Sequence, residues 1–102
     1  QSTAADYAPV PGMELGILSS NPARGMATIA FTLPRGEDVN LAVFDLKGRL
    51  VSGLVAGAQS AGAHTVQWNG KDLFGHVMPS GVYLCQLRTL SGRMSEHIVL
   101  VH

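Results

Sequence analysis

Charge is scarce in this chain. Asp, Glu, Lys and Arg make up 14% of its 102 residues, against about 25% in an average soluble domain. The seven acidic residues cancel the seven basic ones. Gripping nucleic acid takes a surplus of Lys and Arg on one face to neutralise phosphates, so the balance argues against a nucleic-acid partner. It gives no support to a polybasic membrane patch either. Cysteine is nearly absent: Cys85 stands alone, which excludes an internal disulfide and leaves the redox compartment open. Long apolar runs are missing too. Ile98-Val99-Leu100-Val101 falls far short of the ~20 residues of a spanning helix, so no membrane span is expected. No basic stretch leads into an apolar one as in a signal peptide. The chain opens on Gln1 rather than Met, as a processed chain or a piece of a longer one would.

What is present points to strands and turns. The hydrophobic share of 46% is enough for one core, and a chain this long forms one domain. Twelve Gly and five Pro cut it into short segments. Residues 1–12 are small and polar around Pro9 and Pro11 and read as an extended linker; residues 13–102 carry the domain. Met13–Ser19 is a first strand. Ala27–Leu33 alternates, with Ile29, Phe31 and Leu33 on one face. Val39–Leu46 sets Val39, Leu41 and Val43 together. Asp45-Leu46-Lys47-Gly48-Arg49 reads as a tight turn, with the Asp carboxylate on nearby amides and Gly48 left-handed. Leu50–Val55 is the return strand, and Ala56 to Ala63 a small-residue loop. His64, Val66 and Trp68 share a face of the next strand. Val82–Thr89 turns at Ser91-Gly92 into a last strand carrying Ile98 to Val101. The expectation is all-β: seven antiparallel strands in a β-sandwich, with barrel-like closure as the alternative. The expected core is Ile29, Phe31, Leu41, Val43, Val66, Trp68, Tyr83 and Leu87.

The punctuation is more specific than the strands. Asn21-Pro22-Ala23-Arg24-Gly25 comes first, then Phe44-Asp45 with Gly48-Arg49. Ala61-Gly62-x-His64-x-Val66-x-Trp68-x-Gly70-x-Asp72 follows, and then Gly75 and Pro79-Ser80-Gly81-Val82-Tyr83. In this order the motifs resemble the FlgD-type immunoglobulin-like domain and the C-terminal sorting domains of type IX secretion cargo. The resemblance covers roughly Met13 to His102. It implies an Ig-like (fibronectin-III-like) sandwich without catalysis, cofactor or metal. It further implies a module at the end of a larger exported protein, secreted or held at the cell surface by way of periplasm and outer membrane. Secretion or attachment machinery and the parent protein's other domains are the implied partners. The chain stops at Val101-His102, directly after its last strand, as a sorting domain would.

Residue chemistry assigns the motif scaffold roles. Gly25, Gly48, Gly75 and Gly81 are expected at positive φ or close backbone approach. Asp45 and Asp72 are expected to cap turn amides. Trp68 is the largest core side chain and needs a partner for its indole N–H. Tyr83 sits where a tyrosine-corner hydrogen bond forms in Ig-like sandwiches. Arg88, Arg93 and Glu96 on the last hairpin are the candidate recognition residues.

Sharper chemistry has weaker support. His64, Asp72 and Ser80 hold the ingredients of a triad, and Cys85 with His64 or His97 those of a thiol pair. No G-x-S-x-G elbow accompanies them, and Cys85 alternates in phase with Tyr83 and Leu87 as a buried residue would. His64, His76, His97 and His102 lack zinc-site spacing, and Asn69-Gly70-Lys71-Asp72 lacks the acidic density of a calcium loop. A glycan site needs exposed aromatics, yet Phe31, Trp68 and Tyr83 fall on core positions, while Phe44 and Phe74 are isolated and Tyr7 lies in the linker. The expected function is therefore a sorting or attachment module. A structural or adhesive spacer is the alternative, and a glycan-binding module comes third. Low charge and an apolar last strand also predict self-association through a sheet edge.

Overall fold

The computed structural model describes residues 12–19 and 23–101. Eight strands follow in order: β1 (Glu14–Ile17), β2 (Ala23–Arg24), β3 (Ala27–Leu33), β4 (Glu37–Phe44), β5 (Leu50–Gln59), β6 (Gly62–Trp68), β7 (Gly81–Thr89) and β8 (Arg93–Val101). They form a three-stranded sheet, β1-β3-β6, and a five-stranded sheet, β2-β8-β7-β4-β5. The expected sandwich is present, and the count of seven antiparallel strands is corrected. The additional element is β2, whose two residues run parallel to Leu100 and Val101 of β8. A two-residue ladder has no period to read, and Ala23-Arg24 sits inside what the sequence presents as one turn.

Alternation builds the core. In β3, Ala27, Ile29, Phe31 and Leu33 are buried while the residues between them are not. In β7, Tyr83, Cys85 and Leu87 do the same. These faces meet Leu41, Val43, Val51, Trp68, Ile98 and Leu100 between the sheets. Seven of the eight predicted core residues are buried; Val66 is only partly buried and packs against the cluster.

Chain crossings between the sheets close the two sides of the sandwich. β1 pairs β3 in one sheet, and β2 continues the same side on β8 in the other. On the opposite side β5 ends one sheet and β6 the other, with Ser60 and Ala61 between them. The predicted loop from Ala56 to Ala63 is thus corrected: Ala56–Gln59 extends β5 on β4, and Gly62-Ala63 opens β6. Residues this small bury little surface, and the backbone ladder, which the side-chain pattern does not report, holds them extended. β5 also skips register against β4 at Leu41/Ala42 and Val43/Phe44. Such bulges bend a strand and re-aim its side chains, and Val51 and Leu54 here turn onto the core.

Candidate functional site

Two ends of the sandwich carry the motif residues. At one end lie the β4–β5 turn and the connection from β6 to β7, because Phe44 at the end of β4 pairs with Leu84 near the start of β7. The two turns there are built alike. Asp45 Oδ1 accepts the amides of Lys47 and Arg49, both at 2.9 Å, and Asp72 Oδ1 accepts those of Phe74 and His76 at the same distance. Each Asp amide donates to the carbonyl four residues on, and each Asp carbonyl accepts from the turn glycine, Gly48 or Gly75. Both glycines have φ of 85°, the left-handed region that only glycine occupies without strain. The second carboxylate oxygen faces the basic fifth residue, Arg49 Nε at 3.1 Å or His76 Nδ1 at 3.4 Å.

These amides hold both carboxyls below the usual carboxylate range, led by the backbone N–H of Arg49 on Asp45 and of His76 on Asp72. The chain therefore uses one device twice, Asp-Leu-x-Gly followed by a basic residue. That repetition is visible in the sequence as Asp45-Leu46-Lys47-Gly48-Arg49 and Asp72-Leu73-Phe74-Gly75-His76, and a residue-by-residue reading passes over it.

Between the turns sits the aromatic pair. Trp68 is buried at 1% exposure, donates its indole N–H to the Lys71 carbonyl at 2.9 Å and meets Tyr83 edge-on at 5.2 Å. The Tyr83 hydroxyl donates to the Pro79 carbonyl at 2.6 Å, a tyrosine-corner bond four residues upstream. Burial, and after it the Asp45 charge, raises the Tyr83 pKa. Gly70 fixes the start of this connection: at φ 75°, any Cβ there would lie 2.8 Å from the Gly25 carbonyl oxygen. Sequence reasoning named Gly70 as a motif residue without that reason. For Gly81 the expectation is corrected. It has no positive φ and open space where a Cβ would be, because it is extended in the ladder opposite Leu100. Asn21 and Pro22 lie outside the described residues.

The other end carries the candidate recognition residues. The β7–β8 turn centres on Leu90-Ser91 rather than on Ser91-Gly92: Thr89 and Gly92 bond each other's backbone, and the Thr89 hydroxyl accepts the Ser91 amide. Leu90 stands fully exposed at the tip. Arg88 and Arg93 are directly opposed across the hairpin, on the outer face of the sheet. Arg88, on the β4 side, lines a shallow hollow of about 440 Å³ with Asp38, Asn40 and Leu90. Arg35 ties this end together, donating to the Ser91 hydroxyl, which donates to Glu37. Glu96 does not join the arginines. It faces the opposite way, across from Cys85, and borders a hollow of about 200 Å³ with Ile17, Ser19 and Ala23.

The catalytic ingredients are spent elsewhere. His64 donates from Nε2 to the Ser60 carbonyl at 2.7 Å and stacks on Phe31, while Asp72 is held by its own turn. Burial, with a smaller push from Glu96, raises the Cys85 thiol to about 12, so it carries no thiolate at neutral pH. His97 pairs with Leu84 and so faces away from the core that holds Cys85. Among the described residues no three His, Cys, Asp or Glu side chains gather as metal ligands. No described helix could cross a membrane.

A sandwich whose edge strand changes sheets, with a tyrosine corner at one end, is an immunoglobulin-like domain. The match to the FlgD Ig-like domain over residues 19–92 places this chain in that family, whose domain type is non-catalytic. No curated protein sequence matches it. Among solved structures, it is similar to dimeric latent PorU from Porphyromonas gingivalis, with TM-score 0.71 and 20% identity, covering 91% of this chain and 10% of that one. FlgD from P. aeruginosa matches at TM-score 0.57 and 25% identity, covering 87% of this chain and 73% of that one. PorZ, an essential surface component of the type IX secretion system of P. gingivalis, matches at TM-score 0.57 and 19% identity over 99% of this chain and 13% of that one. In PorU and PorZ, then, the likeness is to one module of a much longer protein.

Proposed function

We propose that this chain is the sorting or attachment module of a larger exported bacterial protein, read by secretion or attachment machinery at the outer membrane. Membership of the FlgD Ig-like family carries the reading, and the shared fold with modules of PorU and PorZ supports it. The Arg88–Arg93 pair is its recognition feature. Two guanidinium groups side by side on one face of the hairpin offer the fork of donors that an acidic surface accepts. Leu90, at the same tip, adds apolar contact.

The test is a reporter fused ahead of the full chain in a host with a type IX translocon. Arg88→Ala should strand the reporter in the periplasm, while Glu96→Ala, on the other face, should leave export unchanged. Both residues are exposed, and exposed substitutions typically shift stability by no more than about 0.5 kcal/mol. Export unaffected by Arg88→Ala removes the arginine pair from the reading.

A further inference from the structure

Exposed apolar side chains are normal when scattered singly; here they gather. Leu46, Leu50, Leu73, Phe74 and Val77 are each half or more exposed, Phe74 at 82%, and all five belong to the two Asp turns or border them. Leu46 and Leu73 hold the same place in both turns, directly after the Asp. The second turn closes a small hairpin, with Lys71 bridged to Val77 and the Met78 amide on the Gly70 carbonyl. The caps hold these apolar tips in place. With both carboxylates on turn amides and both glycines left-handed, little freedom remains to be lost on binding. A scaffold role accounts for the Asp and the Gly of each turn, but not for leucine and phenylalanine in water.

We infer that this end of the sandwich binds an anionic lipid surface, with the turn tips inserted among the headgroups. Charge selects this occupant. Arg24, Lys47, Arg49 and Lys71 lie at this end against Asp45 and Asp72, an excess of two positive charges. Glu14, Glu37 and Asp38 lie at the far end, and Glu96 in mid-strand. The zero net charge of the chain thus hides a separation between its ends, which composition does not report. Among the described residues the ion pairs at this end are those of Asp45 with Arg49 and Asp72 with His76, so the ammonium groups of Lys47 and Lys71 are left to a partner. A second copy meeting the same end would set like charges together. Phosphate headgroups above acyl chains suit both parts of the patch: cations near such a surface are attracted to it, and apolar tips enter the boundary layer beneath.

The inference is independent of the sorting reading, which rests on the opposite end, and is tested on the full chain by co-sedimentation with vesicles. The chain should pellet with vesicles of equal parts phosphatidylcholine and phosphatidylglycerol and stay in solution with phosphatidylcholine alone. Added salt should weaken the binding. Leu73→Ser with Phe74→Ser should weaken it roughly tenfold through lost apolar burial, and Lys47→Glu with Lys71→Glu should do so at least as strongly through charge. Trp68 emission checks that each variant keeps a native core. Equal pelleting with both kinds of vesicle overturns the inference, as does binding undiminished in either natively folded variant. No pelleting with either kind also overturns it, and points to an acidic protein surface as the partner of this end instead.

Discussion

Trp68 joins the two sheets at the motif end, because its ring meets Tyr83 of the facing sheet while its N–H secures the chain leaving β6. Truncating it removes both contacts and opens a cavity. Trp68→Ala should cost about 3–5 kcal/mol, read as a lower urea midpoint by circular dichroism. That is a large share of a small domain's total. Asp45 and Asp72 give a second expectation. Their folded pKa values lie below the unfolded ones, so their contribution is fully present above the unfolded carboxylate value of about 3.9. It is lost as pH falls through the lower folded values. Thermal melts should show stability dropping in that acid window, and the Asp45→Asn/Asp72→Asn double variant should drop less steeply. An unchanged slope would mean that the turn carboxylates are not coupled to folding. Both turn aspartates were legible from the sequence because an Asp ahead of a glycine turn is local chemistry. The Gly70–Gly25 approach was not, because it joins residues far apart in the chain.

Strands with a period were readable and strands without one were not. β3 alternates over its whole length, so its bounds and its inward face follow from the sequence. β7 does the same from Tyr83 onward. β5 loses its pattern beyond Val55, where Ala, Gly and Gln carry no inward or outward signal, and only the ladder to β4 reveals the strand. β2 is too short for any pattern. The candidate recognition residues divide for a related reason. Arg88 and Arg93 meet because a two-residue turn sets them opposite each other, while Glu96 lies an odd number of residues from Arg93 and so takes the other face. Turn position, which the sequence reading sets one residue late, decides that geometry.

For the whole molecule, low charge, one cysteine and abundant glycine exclude more than they assign. They argue against a nucleic-acid binder and an internal disulfide, and they leave a sandwich of the FlgD Ig-like family. The ordered motifs supplied the family, which the domain match bears out, and the fold is shared with parts of PorU and PorZ from Porphyromonas gingivalis. The proposed sorting role depends on a partner surface outside this chain, which neither the motifs nor the fold describe. The most direct measurement follows a periplasm-targeted reporter carrying the intact chain at its C-terminus, in a type IX-competent host and in the same host lacking the translocon. The account predicts reporter at the cell surface or in the medium of the first and retention in the periplasm of the second. A folded fusion retained in the periplasm of both contradicts it and makes the chain a structural spacer.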